Sequence, residues 1–360
     1  MKSKILFISL ILLIILLPTV FFNRDHEVYS YIDNKMLTEL DFSSKENLEE
    51  YIDDRIGFRK DIIFLFNKIN KNLFNYSTNP KYIYSDDGSE IYNKVELEES
   101  SDTYFNSFTN VIININDYLT NIDIPFYYVI TPSKASIYSD DLPKYYNFSN
   151  TRIMNFKNIL VEKNINYIDL YKVLEDESTV NRVFNKEYDV FHWNDYGLFV
   201  GTNAILNRIH NDYPNVKENT KEDFVINTIK GKDLEKNEYE INEDVTFYSL
   251  KNKYTDISDE YINNLDLYED FQEFYYIKTK NTDKPKILMF GGSYFISENR
   301  YEPLSNQSSE LILIHNYNNV FNIKKYVEMF APDIVIFDSC EYTFKEYYFS
   351  EYYMNNMVLE

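Results

Sequence analysis

Several residue types are scarce in this sequence, and each shortage excludes a class of structure or partner. The single cysteine, Cys340, excludes an intrachain disulfide and a zinc site built from cysteines. Basic residues number 36 against 58 acidic ones, which gives a net charge of −22. Because nucleic-acid binding needs basic side chains that neutralise phosphates, we expect no nucleic-acid partner. Glycine occurs only seven times, where average usage would give about 25, so each glycine should mark a position that requires one.

Motifs for metals and nucleotides are also missing. The four histidines, His26, His192, His210 and His315, do not form H-x-x-x-H, and neither G-x-x-x-x-G-K-[ST] nor G-x-G-x-x-G occurs. We therefore expect neither a metal nor an organic cofactor. Hydrophobic residues make up 44% of the chain, which is enough for a folded core and argues against general disorder.

The amino terminus predicts a location for the protein. Residues 5–22 carry no charge, a length just sufficient to span a bilayer as a helix, and Lys2 and Lys4 precede them. Since the basic flank stays in the cytoplasm, we expect an uncleaved single-pass signal anchor in the cell membrane, with everything after Phe22 outside. A cleaved signal peptide is the alternative, although its small-residue cleavage site is missing. In both cases the bulk of the protein is extracytoplasmic.

The rest of the chain divides into two regions. Residues 23–85 have the pattern of a membrane-proximal helical segment, with an amphipathic helix over 46–74. Residues 86–360 alternate strands with helices, which predicts a three-layer α/β/α domain with a mainly parallel sheet. Within that domain, residues 212–282 are acidic and weakly patterned, which is typical of a surface excursion. The predicted strands are 124–130, 167–170, 286–290, 311–314 and 333–337, and the predicted helices are 103–121, 151–163, 196–210 and 323–330.

The first candidate for chemistry is the run of Gly291, Gly292 and Ser293. It follows a predicted strand, and a serine on a sharp turn between a strand and a helix is a common way to present a nucleophile. In parallel sheets ligands bind at the carboxyl ends of the strands, where this run lies. An ordinary glycine turn with a capping serine is the alternative.

The second candidate pairs Asp189 with His192. A carboxylate three residues before a histidine can hold one imidazole nitrogen, which leaves the other free to take a proton from a hydroxyl. A purely structural pair is the alternative. Among the other histidines, His210 lies at a predicted helix end, where a dipole or surface role is typical, and His315 is the reserve candidate for the base.

Two further side chains are candidates for contact with substrate. Lys134 follows a predicted strand end and could donate to a substrate oxygen, although most lysines are simply solvated. Trp193, the only tryptophan, adjoins the candidate base and could form a stacking or shielding wall for a sugar, with core packing as the alternative.

Taken together, these segments resemble the SGNH-hydrolase-like O-acetyltransferases of the AlgX/AlgJ type, which modify exopolysaccharides. The similar segments keep the family's order along the chain, roughly over residues 45–345. They are 51–59, 79–88, the P-x-K stretch at 130–138, the H-W-N segment at 192–197, the G-x-S-Y segment at 290–294, and the P-D-x-V-I strand within 326–341.

The resemblance implies residue roles. Ser293 would be the nucleophile, His192 the base and Asp189 its orienting acid. Independently of the resemblance, we expect Gly291, Gly292 and Tyr294 to form the turn and oxyanion site, and Trp193, Asn194 and Lys134 to bind substrate. Two positions depart from the family pattern. Val190 stands where the family has its Asp two residues before the histidine, although D-x-x-H is usual in SGNH hydrolases at large, and Gly292 replaces the Asp of G-D-S.

The function implied is a membrane-anchored, extracytoplasmic O-acetyltransferase that moves acetyl groups to a polysaccharide through an acyl-serine. By resemblance, a membrane-bound O-acyltransferase would supply the acetyl group. With Lys2 and Lys4 inside, the outer part of the chain carries a charge of −24, so we expect a neutral or amino-containing acceptor polymer. The alternatives are a carbohydrate acetylesterase of the same fold and a catalytically silent polysaccharide-binding or scaffold subunit.

Overall fold

The structure, a computed structural model, describes residues 2–24, 28–30, 35–98, 100–146, 148–234 and 241–359. The chain forms two units. The first comprises residues 1–80 and 230–243, and the second comprises residues 81–229 and 244–360.

The first unit is mainly helical. No helix formed by the described residues is long and apolar enough to cross a membrane, so the anchor predicted for residues 5–22 is not confirmed. The helices and strands of this unit before residue 80 are α1 (Lys2–Val20), β1 (Tyr29–Ser30), β2 (Lys35–Met36), α2 (Lys45–Arg55) and α3 (Arg59–Phe74).

A break at Gly57 corrects the prediction of one helix over 46–74. Phe58 has a φ of 61°, outside the helical region, and α3 starts only after it. A Cβ on Gly57 would lie 2.7 Å from the Pro18 carbonyl oxygen and from both Phe21 Cβ and the Phe21 carbonyl oxygen. The Gly57 N–H donates to the same Pro18 oxygen at 3.0 Å. Glycine is therefore required here because the chain at the end of α1, from Pro18 to Phe21, approaches it so closely.

The second unit contains a seven-stranded sheet in the order β6-β5-β13-β11-β12-β10-β9. Five neighbouring strands, β6 to β12 in that order, are parallel, and β10 and β9 are antiparallel additions. The elements are β3 (Tyr82–Tyr84), β4 (Ile91–Asn93), α4 (Asp102–Asn121), β5 (Phe126–Thr131), α5 (Lys134–Ile137), α6 (Thr151–Glu162), β6 (Tyr167–Asp169), α7 (Tyr171–Ser178), α8 (Asp195–His210), β7 (Phe224–Lys230), β8 (Asp244–Leu250), β9 (Thr255–Asp256), β10 (Phe274–Lys278), β11 (Lys286–Gly291), α9 (Ser293–Ile296), α10 (Glu302–Ser305), β12 (Glu310–His315), α11 (Ile323–Phe330), β13 (Ile334–Cys340) and α12 (Glu351–Asn356).

Helices cover both faces of this sheet. Because successive side chains of a strand point to opposite faces, Tyr128 and Ile130 of β5 join one core with α4, α6 and α11. Tyr127 and Val129 of the same strand join a second core with α7 and α8. A strand buried on both faces has no polar alternation, which is why these strands appear in the sequence as continuous apolar runs.

The acidic excursion predicted over 212–282 is only partly an excursion. Strands β7 and β8 pair in a two-stranded sheet, but β9 and β10 extend the main sheet. In β10, Tyr276 and Ile277 are buried and pair with Ile312 and Leu311 of β12. The strand is only five residues long, and acidic residues flank it in the sequence. In a longer stretch of sequence the acidic residues therefore hide its apolar pattern.

The fold places four chain turns at one edge of the sheet. Strands β5, β11, β12 and β13 are parallel, so their carboxyl ends meet there, at Thr131, Gly291, His315 and Cys340. Open parallel sheets bind ligands at this edge. The candidate nucleophile Ser293 lies two residues beyond the end of β11.

Candidate active site

The turn that carries Ser293 joins β11 directly to the short helix α9. Ser293 is half-buried and is the first residue of that helix. A Cβ on Gly291 would lie 3.0 Å from Leu313 Cδ1, a tight contact, whereas a Cβ on Gly292 would have only ordinary contacts at 3.5 Å or more. The φ of Gly292 is −81°, which any residue adopts. Gly292 is therefore not required by space, and the missing Asp of G-D-S is a chemical difference.

Asp189 and His192 lie in hydrogen-bond contact on the loop that precedes α8. The distance between His192 Nδ1 and Asp189 Oδ1 is 2.7 Å, and both side chains are half-buried. The loop turns sharply: Asp189 has a φ of 42°, and its carbonyl oxygen accepts the His192 N–H at 3.3 Å. Because Nδ1 is engaged by the carboxylate, Nε2 is the imidazole nitrogen left for a proton transfer.

Arg300 is a partner of this pair that the sequence analysis missed. Its guanidinium donates to Asp189 Oδ2 and, through Nη1, to the Trp193 carbonyl oxygen at 3.2 Å. Burial opposes ionisation of Asp189, yet the charges of His192 and Arg300 hold the pKa of its carboxyl well below the usual range. The only sequence signal was rarity, since Arg300 is one of seven arginines in a lysine-rich chain.

Aromatic side chains tie the histidine loop to the serine turn. The Trp193 Nε1–H donates to the carbonyl oxygen of Tyr294 at 3.0 Å. The ring centroids of His192 and Tyr294 are 5.3 Å apart, with the rings edge to face. His192 therefore lies beside the residue that directly follows Ser293. The structure brings Asp189, His192 and the serine turn to one place although about 100 residues separate them.

Two residues next to His192 make structural contacts. Trp193 is fully buried, and a Cβ on Gly201 of α8 would lie 2.6 Å from its ring, so it belongs to the core and is no wall for a sugar. Asn194 is the N-cap of α8: its Oδ1 accepts the Gly197 N–H at 2.8 Å, and its Nδ2 donates to the Arg182 carbonyl at 2.9 Å. The assignment of Trp193 to substrate binding is corrected, and that of Asn194, which is half-buried, stays a prediction.

The prediction that Lys134 binds substrate is also corrected. Its side chain is completely buried, and Nζ donates to the carbonyl oxygens of Ile91 at 2.7 Å and Lys186 at 2.8 Å. It also lies 3.8 Å from a Glu90 carboxylate oxygen and 4.9 Å from the centroid of the Tyr92 ring. A buried ammonium is costly unless it is well bonded, so Lys134 holds β4 to the segment before the histidine loop and does not face a substrate.

His315 and His210 are not at the site. His315 is buried, its ring stacks on Phe271 at 5.1 Å, and burial lowers the pKa of its imidazole to about 3. Its Nδ1 accepts the Tyr317 N–H at 3.4 Å, so His315 is a core residue and not the reserve base. His210 ends α8 and bonds the Val216 carbonyl at 2.6 Å, and His26 lies outside the described residues.

Asp338 is a second acid at this edge that the sequence analysis did not single out. It lies near the end of β13 with 1% of its surface exposed, and its Oδ1 accepts the Thr131 hydroxyl at 2.5 Å. The Gly292 N–H also interacts with this carboxyl, while Asn316 Nδ2 donates to the Asp338 carbonyl oxygen at 2.5 Å. Burial raises the pKa of Asp338 to about 7. The signal available in the sequence was one acid inside the apolar run 334–340.

Tyr317 completes the polar surroundings of the serine. It follows β12, is buried, and its hydroxyl interacts with that of Ser293. Burial raises the pKa of the Tyr317 phenol far above its usual value, so it remains neutral and can both donate and accept a hydrogen bond. The serine turn therefore has a tyrosine hydroxyl at Ser293 and a carboxyl at Gly292.

Comparisons with known proteins agree with the fold. Residues 91–240 match the family described as SGNH hydrolase-like domain, acetyltransferase AlgX. Comparison with curated sequences gives no match. The structure of Bacillus cereus PatB1 with a sulfonyl adduct is similar, with a TM-score of 0.57, 15% identity, and coverage of 73% of this chain and 97% of PatB1.

A second similar structure is the O-acetyltransferase domain of Pseudomonas putida AlgJ. Its TM-score is 0.54 at 14% identity, and the match covers 78% of this chain and 99% of that domain. Identities this low establish a shared fold, and the sequence match establishes the relationship over residues 91–240. The resemblance predicted from the sequence is therefore confirmed: residues 91–240 of this chain are similar to the SGNH hydrolase-like domain of the acetyltransferase AlgX.

Proposed function

We propose that this protein is an O-acetyltransferase that acylates hydroxyl groups of an exported or cell-surface polysaccharide through an acyl-serine on Ser293. The observation that carries the proposal is the Asp189–His192 pair, held by Arg300 beside the serine turn. Relationship to an acetyltransferase family supports the same reaction class. A scaffold subunit would not need a carboxylate kept ionised against a histidine in a half-buried loop.

The first half-reaction forms the acyl-enzyme. His192 Nε2 takes the proton of the Ser293 hydroxyl while Ser293 Oγ bonds to the acetyl carbon of the donor. Backbone N–H groups at the start of α9 have no intrahelical partner and lie where they can stabilise the oxyanion. The leaving group of the donor then departs with the proton held on His192. Asp189 stabilises the imidazolium that exists between these two proton transfers.

The second half-reaction returns the enzyme to its starting state. His192 takes a proton from a sugar hydroxyl, the sugar oxygen bonds to the acetyl carbon, and Ser293 Oγ leaves and recovers the proton. With water in place of the sugar the same steps hydrolyse the acyl-enzyme, which is the esterase alternative. The proposed acetyl donor is a membrane-bound O-acyltransferase, and the proposed acceptor is a neutral or amino-containing polymer because the chain is so acidic.

The proposal also includes a location outside the cytoplasm, with the amino-terminal segment as the membrane anchor. The support is in the sequence: residues 5–22 are uncharged and follow Lys2 and Lys4. A carboxy-terminal reporter fusion that is active only outside the cytoplasm tests it. Reporter activity only in the cytoplasm would contradict the location without affecting the catalytic proposal.

The catalytic proposal is tested by covalent labelling. Because the structure of PatB1 holds a sulfonyl adduct, a sulfonyl fluoride is a suitable probe: a bond forms from Ser293 Oγ to sulfur and fluoride leaves. We expect labelling of the native protein and none of Ser293→Ala or His192→Ala. Asp102→Asn, an exposed residue at the start of α4, is the control and should label normally. Equal labelling of native protein and Ser293→Ala would overturn the acyl-serine mechanism.

Transferase and esterase are separated by product analysis. The protein is incubated with an activated acetyl ester and neutral oligosaccharides, and acetylated sugar is measured against free acetate by mass spectrometry. The proposal requires more acetyl transfer to sugar than to water. Hydrolysis that is unaffected by the oligosaccharide would favour the esterase.

A further inference from the structure

Helix α3 of the first unit exposes a continuous apolar stripe. From Ile62 the residues concerned recur at i, i+3, i+4, i+7 and i+11, so they lie on one face of the helix, and the N-cap residue Phe58 precedes them. Each of these side chains has between 40% and 70% of its surface exposed; they are Phe58, Ile62, Leu65, Phe66, Ile69 and Leu73. Single exposed apolar side chains are ordinary on protein surfaces, but a contiguous stripe of this length marks an interaction surface.

The charge of α3 is opposite to that of the rest of the protein. Residues 59–74 contain four basic residues and one acidic residue, a net charge of +3 in a chain whose total is −22. The preceding helix, α2, contains five acidic residues and two basic ones. A helix with basic residues, leucine and phenylalanine and a strong separation of its faces has the composition of helices that lie in a membrane interface.

The beginning of α3 adjoins the end of α1. The Gly57 N–H donates to the Pro18 carbonyl oxygen at 3.0 Å, and the ring centroids of Phe21 and Phe58 are 4.8 Å apart. Helix α1 also exposes apolar side chains, including Leu6, Phe7 and Leu13. The stripe of α3 therefore starts at Phe58, in contact with the segment that ends the most apolar helix of the chain.

We propose that α3 binds the surface of an anionic lipid membrane, with its apolar stripe buried between headgroups and acyl chains. The charge of α3 selects this occupant, because anionic headgroups attract a basic helix and a second copy of this acidic chain would be repelled. The inference does not depend on the acetyltransferase proposal. It holds whether α1 crosses the bilayer or lies on it.

The test uses the full chain with an environment-sensitive fluorophore on an introduced cysteine. Leu65→Cys and Ile69→Cys place the label on the stripe, and Asn67→Cys places it on the opposite, polar side of the same helix. The natural Cys340 is 4% exposed, so background labelling is small and is subtracted using unmodified protein. Each protein is reconstituted into vesicles of phosphatidylcholine alone or with one quarter phosphatidylglycerol, with and without lipids that carry doxyl quenchers.

With phosphatidylglycerol we expect doxyl quenching at Leu65 and Ile69 to be at least about twofold stronger than at Asn67, and to fall by about half in phosphatidylcholine alone. Equal quenching at all three positions, or none, would overturn the proposal. Equal quenching in both vesicle types would overturn the role of charge. A blue-shifted label without doxyl quenching, lost when protein is diluted in excess lipid, would show that a second copy covers the stripe instead.

Discussion

Two aspartates at the same edge of the sheet have carboxyl pKa values shifted in opposite directions, and their partners explain the difference. Asp189 contacts two cationic or basic groups, His192 and Arg300, and the pKa of its carboxyl is held far below the usual range. Asp338 contacts a hydroxyl from Thr131 and a backbone N–H from Gly292, both neutral, and burial raises its pKa to about 7.

The difference shows that the charge of the partners, and not burial alone, decides what a buried acid does. An acid fixed in its ionised form can orient an imidazole and stabilise imidazolium. An acid that is near its protonation midpoint at neutral pH can still hold a backbone turn by hydrogen bonds. We interpret Asp338 as a positioning residue for the serine turn, at the place where Gly292 lacks a side chain.

The largest effect should come from Asp189→Asn. An amide cannot stabilise imidazolium and favours the wrong imidazole tautomer, and in a serine protease triad this change lowers kcat by about 10⁴-fold. We expect the sulfonyl fluoride labelling rate of Ser293 to fall by roughly 10³- to 10⁴-fold. Asp338→Asn should lower it much less. Equal losses in the two variants would remove the functional distinction between the two acids.

Arg300→Met removes the buried cation from Asp189 while keeping an apolar stem. Breaking a buried ion pair from one side leaves an uncompensated charge, so we expect the free energy of unfolding at pH 7 to fall by about 3–5 kcal/mol. Arg300→Lys keeps the charge and should recover part of the loss. Urea denaturation measures both. A loss below about 1 kcal/mol would mean that His192 alone holds Asp189 ionised.

Asp338→Asn should change how stability depends on pH. The pKa of Asp338 is raised in the folded state, so the folded protein binds the proton more tightly and native stability falls as pH rises from about 4 to about 7. The neighbouring Tyr128, Tyr317 and Cys340 have pKa values raised well above neutrality and do not titrate in this window. The variant should lose this decline, which amounts to at most about 4 kcal/mol. Parallel stability curves between pH 4 and 7 would contradict it.

Tyr317→Phe should have the smallest effect. It removes one neutral hydroxyl from Ser293, so we expect the labelling rate to fall by about 3- to 30-fold and stability to change by about 1 kcal/mol. The matched change on the other side of the turn is Thr131→Val, which removes the hydroxyl that bonds Asp338. It should raise the pKa of Asp338 further while leaving labelling nearly unchanged. A labelling rate of Tyr317→Phe equal to that of the native protein would show that the Tyr317 hydroxyl does not assist the reaction of Ser293.

Much of the fold was predictable because its signals are local. The helix predicted over 323–330 is α11. The strand predicted at 286–290 lies within β11, and the strand predicted at 333–337 overlaps β13. The mainly parallel sheet followed from their alternation with helices. The antiparallel strand β10 was missed because its apolar residues face the core only once β12 lies beside it.

The candidate site was predictable only in part. The three-residue spacing of Asp189 and His192 places them in one turn of a loop, and the structure puts them in contact. Trp193 and Asn194 are equally close in sequence, but one points into the core and the other caps α8, and no spacing distinguishes those directions. The direction of the Lys134 side chain could not be predicted either. Its ammonium donates to two backbone carbonyl oxygens on segments that are distant in the sequence.

By itself, the sequence determined the family resemblance and the identities of Ser293, His192 and Asp189 as candidates, because residue type, order and short spacing are enough for that. The tertiary structure alone decided the partners of the acids. Arg300 is 111 residues from Asp189, and Thr131 is 207 residues from Asp338. Those contacts depend on which strand ends meet at one edge of the sheet. The ionisation of a buried acid depends on the nearest charges in space, so it was settled only when the chain folded.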